Sequence, residues 1–265
     1  MKKKIFKEHR TPSGSPLTRC EEVGMEETPI DYDAFKKRGF LRQKQDGYFL
    51  LRTRTAGGNY NAQQISVLAD VARRYGREVI HPTTRQGIEI PFIRFEDIDT
   101  VEKIVHEAQI PTGTSGPRLR STTVCPGNNW CKSGLVDTFA LFRRIENELG
   151  IRCAQDLPHK FKIAISGCPN RCTRAESAEI GIHGAVDVSH PEKRRGYVVY
   201  LGGCGGRTPH FGIRLEKIFT EEEVLRIIER TVQFYKAHAK PRQRLAFLIQ
   251  EVGAEAFLKE IGVKN

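Results

Sequence analysis

The sequence predicts an α+β fold, a ferredoxin-like half-unit followed by a mixed α/β domain that carries paired cysteines. Two observations predict it. Strand, helix, strand and helix patterns succeed one another over about 65 residues from residue 46. Beyond the turn-rich "PTGTSGP" at 111–117, two further strand patterns each run into a glycine-bearing loop with cysteine. The chain has 265 residues, 38% hydrophobic and 28% charged, which reads as soluble, globular and large enough for a real core. No apolar run approaches the roughly 20 residues of a membrane span. The basic start "MKKKIFKEHRTPSGSP" lacks the apolar core of a secretory signal, so a cytoplasmic protein is expected.

Residues 1–42 read as a polar arm. The half-unit, 43–112, opens with "DGYFLLRTRTAGG", a strand ending in a Gly-Gly turn. In "NAQQISVLADVARRYG", Ile65, Leu68, Ala69 and Ala72 recur at helical spacing and Gly76 stops the helix. "REVIHPTTRQGIEIPFI" gives one or two short strands, and "FEDIDTVEKIVHEAQI" a second helix. The second domain, 113–215, has a helix in "VDTFALFRRIENEL" closed by Gly150, and strands in "HKFKIAIS" and "GYVVYLGGCGG". Residues 216–265 read as a helical tail, opened by a capping box between Thr220 and Glu223.

Seven cysteines, an odd number, argue against a pure disulfide framework. In a reducing compartment clustered cysteines more often ligate metal or do chemistry. Four form two pairs, Cys125 and Cys131 in "TTVCPGNNWC" and Cys168 and Cys172 in "SGCPNRC". Cys20 and Cys153 read as ordinary thiols, and Cys204 lies in the glycine loop "GGCGG". Structural zinc favours tighter spacings, while an iron–sulfur cubane, also held by four thiolates, tolerates wider loops. The spacing favours the cubane and leaves zinc open. Pro126 and Pro169 remove donors beside the thiols, and Gly127 and Gly167 permit close backbone approach. Cys131 is expected just before a helix whose amides favour an anionic cluster, with Trp130 packed as a shield. In "HKFKIAIS", strand alternation puts Lys160 and Lys162 on one face, opposite Phe161, Ile163 and Ile165.

"CPGNNWC" together with "GCPNRC" resembles the cluster motif of the sirohaem-containing sulfite and nitrite reductases. The resemblance implies that Cys125, Cys131, Cys168 and Cys172 bind a [4Fe–4S] cluster, with Cys172 bridging to the iron of sirohaem. It implies that Arg85, Arg120, Lys160 and Lys162 clamp the oxyanion, and that Arg52 and Arg54 meet the sirohaem carboxylates. The fold it implies is the ferredoxin-like half-unit followed by a sirohaem and [4Fe–4S] domain. The similarity runs over roughly residues 45–215.

The activity so implied is six-electron reduction of sulfite to sulfide. The alternatives are nitrite reduction to ammonia, or a sirohaem electron-transfer subunit without turnover. Lys162 favours sulfite, since plant-type nitrite reductases tend to have asparagine there, whereas "NNWCKSG" resembles NADH-linked nitrite reductases. No flavin or nicotinamide motif is evident, so a separate ferredoxin or reductase subunit is expected as donor. The net charge of +11 suits an acidic one. The larger family members carry two copies of each unit and this chain one, which implies a homodimer or a paired homologous subunit. Charge and four cysteines also fit a zinc-stabilised nucleic-acid module, but that leaves the arginine and lysine placement unexplained; neither nucleic acid nor membrane is expected as a partner.

Overall fold

In the computed structural model residues 30–263 are described, except Ala56 and Thr114. The basic start of the chain and Cys20 lie outside them. The first sheet has the order β1-β2-β4-β3, built from Phe40–Arg42, Tyr48–Arg52, His81–Pro82 (β3) and Ile88–Arg94 (β4), all antiparallel. Phe49 and Leu51 alternate into its buried face with Ile88 and Ile90, and a register shift between Phe49↔Ile93 and Leu51↔Ile90 brings Ile93 to the same face. Helices α2 (Ala62–Tyr75) and α3 (Ile98–Glu107) pack against one another, and α2 also meets β4. Asn61 caps α2, accepting the Gln64 amide at 2.8 Å while the Gln64 side chain returns the bond.

Two details depart from the sequence reading. Ile65 is 42% exposed, and Val71 takes its expected place beside Leu68 and Ala72 in the core. The described end of the supposed arm is also part of the half-unit. Helix α1 (Tyr32–Arg38) sets Phe35 on Phe49 and Phe95, and Arg38 donates to Glu102 of α3 at 2.6 Å. Strand β1 then pairs Phe40 with Leu51.

The second sheet has the order β5-β6-β7-β8-β9, from Thr123–Val124, Ile163–Ser166, Ile180–Asp187, Arg194–Leu201 and Ile213–Arg214. The pairs β5·β6 and β6·β7 are parallel, the remainder antiparallel. All four β6 residues are buried, so this strand shows no polar-apolar alternation. Alternation survives just upstream, where Phe161 is fully buried between half-exposed Lys160 and Lys162.

Helices α4 (Thr138–Asn147), α5 (Glu221–His238), α6 (Leu245–Val252) and α7 (Ala254–Glu260) cover this sheet's core. The capping box of Thr220 and Glu223 opens α5 as expected. The tail is therefore no appendage. Ile228, Tyr235, Leu245 and Phe257 join Leu119, Phe161 and Ile163 in one cluster, with the Phe161 and Tyr235 ring centroids 5.2 Å apart. Among the described residues no helix is long and apolar enough to cross a membrane. Because Phe161 ties the sheet to α5, Phe161→Ala should destabilise the fold by about 3–5 kcal/mol in equilibrium urea unfolding.

Candidate functional site

Parallel pairing builds the site. Leu119 bridges to Phe161, and the Arg120 amide donates to the Phe161 carbonyl at 2.8 Å. Leu119 and Phe161 both enter the core, so their neighbours Arg120, Lys160 and Lys162 turn to the other face. After a one-residue shift in register the parallel alignment continues through β5 and β6, where Thr123 pairs with Ala164, until the Cys125 amide donates to Ile165 at 3.1 Å. Both strands then end in their cysteine loops, side by side.

Glycine lets these loops interlock. The Leu135 amide donates to Gly167 at 2.8 Å, and the Gly167 amide donates to the Cys125 sulfur at 3.0 Å. A Cβ on Gly167 would stand 2.5 Å from the Gly127 Cα, and one on Gly134 would stand 2.2 Å from the Gly127 carbonyl. The second loop is closed by Ser166 and Thr173, whose hydroxyls lie 2.7 Å apart. Cys125 and Cys172 line one cleft of about 470 Å³ with Thr84, Gln86, Thr123 and Arg174. Cys168 is buried beneath the second loop, whereas Cys131 and Cys172 are exposed.

Two expectations in the first loop are corrected. Helix α4 begins only at Thr138, and the Asp137 carboxylate occupies its N-terminus by accepting from Ala140 at 2.9 Å. Cys131 is instead held by its own turn, its amide donating to Gly127 at 3.2 Å. Trp130 is 68% exposed and lies on Phe139 with ring centroids 5.4 Å apart, so it packs as a surface cover.

The ferredoxin-like half supplies the cleft's other wall through Gln86. Its side-chain amide donates to the Val124 carbonyl at 2.7 Å and accepts the Val124 amide at 2.9 Å. These bonds cap the free edge of β5 and bring the 83–87 loop, with Arg85, against the second sheet. Burial, then repulsion from Arg52, lowers the Arg85 pKa. Burial, then Arg85 and Arg52, pulls Arg120 down to about 10. Burial also lowers Lys162, with Glu179 opposing and Arg244, Arg85 and Lys160 adding to the fall. Among the described residues Arg85, Lys160 and Lys162 form no ion pair. Partly desolvated cations that repel one another without carboxylate partners make a place for an anion.

Arg52 and Arg54 flank buried Thr53 on a common face, as alternation predicts. Each already has a local partner. Arg52 pairs with Glu89 at 2.6 Å, and Arg54 donates to the Thr112 carbonyl at 3.1 Å, with Glu146 of α4 within its field. Arg52 thus belongs to the cationic group and Arg54 stands apart from it. Cys153, read as an ordinary thiol, lies within electrostatic reach of Arg85 and Arg120, its sulfur 3.7 Å from the Ser121 hydroxyl. Gln86, Cys153, Glu179 and Arg244 carry no local motif; only their contacts across the fold single them out.

The donor set fits a metal–sulfur cluster better than a lone ion. Among the described residues no three Cys, His, Asp or Glu side chains are placed to share one metal ion. A cubane presents separate irons to separate thiolates, which suits two loops facing a common cleft. The fold and site thus define a class: an α/β domain with a thiol-lined cleft and a bank of half-buried cations, completed by a ferredoxin-like half.

The chain belongs to the nitrite and sulphite reductase family. Residues 115–265 match the model of its 4Fe-4S domain, and 41–108 match the nitrite/sulfite reductase ferredoxin-like half domain. The first match includes the helical tail, which the sequence resemblance over 45–215 leaves out. A coenzyme F420-dependent sulfite reductase of Methanocaldococcus jannaschii is 32% identical, over 84% of this chain and 44% of that protein. A nitrite reductase [NAD(P)H] of Bacillus subtilis is 28% identical, over 85% of this chain and 27% of that protein. The chain thus spans less than half the length of either relative. The Mycobacterium tuberculosis NirA protein superposes with a TM-score of 0.73 at 20% identity, covering 86% of this chain and 45% of that one, and so shares the fold. Membership implies a [4Fe–4S] cluster and sirohaem. Because Gly167 has no room for a side chain, Gly167→Ala should weaken iron retention about 10–100-fold. Iron and acid-labile sulfide assays on the folded variant check this.

Proposed function

We propose that the chain reduces sulfite to sulfide by six electrons, in a cleft where Arg85, Arg120, Lys160 and Lys162 bind the oxyanion. The observation that carries the reading is this set of half-buried cations beside two interlocked cysteine loops. In this reading Cys125, Cys131, Cys168 and Cys172 would hold the [4Fe–4S] cluster, and Cys172 would also serve the sirohaem. Arg52 and Arg54 meet the sirohaem carboxylates, Arg52 sharing its charge with Glu89. When bound, the coupled pair supplies single electrons and an iron site for the substrate's central atom.

The chain's own residues do the rest. Arg85 and Arg120 keep their protons across the neutral range and hold substrate oxygens by charge-assisted hydrogen bonds. Lys162, already lowered by burial and neighbouring cations, is the better proton donor as each oxygen leaves as water. Lys160, just before Phe161, shares the face of Lys162 and completes the clamp. The lysine pair and the sulfite-reducing relative of M. jannaschii support sulfite. The B. subtilis relative supports nitrite as second reading. Electrons come from a separate ferredoxin or reductase subunit, drawn by the net charge of +11. A second copy or a homologous subunit completes the assembly.

Lys160→Ala and Arg85→Ala should keep the sirohaem absorption band and iron content. Each should lose about 10–100-fold in kcat/KM, the worth of one charge-assisted contact. Parallel assays of sulfide and ammonia decide the substrate. Zinc without a tetrapyrrole band in protein purified anaerobically would overturn the reading.

A further inference from the structure

Glu179 stands at the entrance to β7 and is fully buried. Its carboxylate is divided between two tasks. Oε2 accepts the backbone N–H of Lys162 at 2.9 Å, and Oε1 accepts Nε of Arg244 at 2.6 Å. The other guanidinium arm of Arg244 closes on the same Oε1. The following residue completes the clamp, the Ile180 amide donating to the Lys162 carbonyl at 3.2 Å. Arg244 is itself 6% exposed and immediately precedes α6. A carboxylate and a guanidinium so deep in the fold are costly unless paired. Here the pair abuts the segment that bears Lys160 and Lys162.

The groups whose charge acts on Lys162 come from four places. Glu179 lies at the start of β7, Arg244 at the start of α6, Arg85 on the β3–β4 loop, and Lys160 on its own segment. Glu179 is the single anion among three cations. Burial pushes its own carboxyl up, and Arg244 and Lys162 oppose that push.

We propose that Glu179 is a positioning residue for Lys162, clamping its backbone and setting one negative charge behind a bank of positive ones so that Lys162 keeps its charge for the oxyanion. Arg244, delivered by the C-terminal helices, is the counter-charge that moderates the effect. The consequence for substrate rests on the oxyanion reading of the cleft; the charge coupling does not.

The full-length holoprotein tests both parts. Competitive labelling with acetic anhydride across about pH 6–11, read at the Lys162 peptide by mass spectrometry, gives the midpoint of Lys162 without any turnover. Glu179→Gln should lower that midpoint by about one pH unit, a tenfold change in its proton affinity. The alkaline loss of sulfite binding, measured by titration of the resting enzyme, should move down with it. An unchanged midpoint in folded Glu179→Gln protein would sink the proposal. Should that variant not fold, Glu179→Gln with Arg244→Met removes both buried charges together. Glu179 touches the Lys162 backbone itself, whereas Arg244 is bonded to the other carboxylate oxygen, so the midpoint still falls, by less; a midpoint that stays or rises in the double variant is equally fatal. A fallen midpoint with unaltered sulfite and nitrite affinity leaves the coupling standing and overturns the oxyanion reading instead.

Discussion

Everything at the site depends on one strand alignment, the parallel run of residues 119–125 beside 161–166, whose register shifts by one residue between Leu119↔Phe161 and Thr123↔Ala164. Leu119 and Phe161 enter the core together, which commits Arg120, Lys160 and Lys162 to the opposite face. Further along, the same ladder delivers Cys125 to the Gly167 amide as both strands end. A slip of one residue would bury the cations and expose Phe161, so the hydrophobic core below enforces the arrangement above. Cation bank and thiol loops are thus two consequences of one pairing. Parallel neighbours have their C-terminal ends on the same side, which is why both loops open onto one cleft.

That arrangement carries an electrostatic strain, and the fold meets it from outside the cleft. Cations drawn partly out of water beside one another would shed protons or swell apart. Two anions lie close behind them. Glu89 pairs with Arg52 across β2 and β4, and Glu179 supports the Lys162 strand. Neither reaches Arg85, Lys160 or Lys162 closely enough to form an ion pair. The pocket is therefore balanced enough to fold and still cationic enough to take an anion.

What the sequence disclosed depended on how locally each feature is written. Cysteine spacing, the capping box at Thr220, and the strand ending in Gly-Gly are short-range patterns and were readable. The alternation around Phe161 was readable for the same reason. Gln86, Glu179 and Arg244 were not, because each acts through a partner 17 to 65 residues away: Gln86 through Val124, and Glu179 through both Lys162 and Arg244. The helix expected to begin directly after Cys131 illustrates the opposite error. Its apolar pattern is genuine, but Asp137 is the better cap and pushes the start to Thr138. The arm was misjudged because Tyr32–Arg42 has too few residues to display a period. Its contacts are supplied by Phe49, Phe95 and Glu102, which come later in the chain.

The C-terminal helices show why a domain boundary drawn from periodicity can miss function. Read alone, α5 to α7 are a capped amphipathic run with no chemistry. In the fold, Tyr235 holds Phe161 from below while its hydroxyl donates to the Gln243 carbonyl at 2.5 Å. That bond fixes the turn that presents Arg244 to Glu179. The residue between the two lysines and the charge behind one of them are thus both set from the tail. Packing in the turn at residues 239–244 is therefore linked to the Lys162 backbone through Arg244 and Glu179, from the side on which that segment is buried.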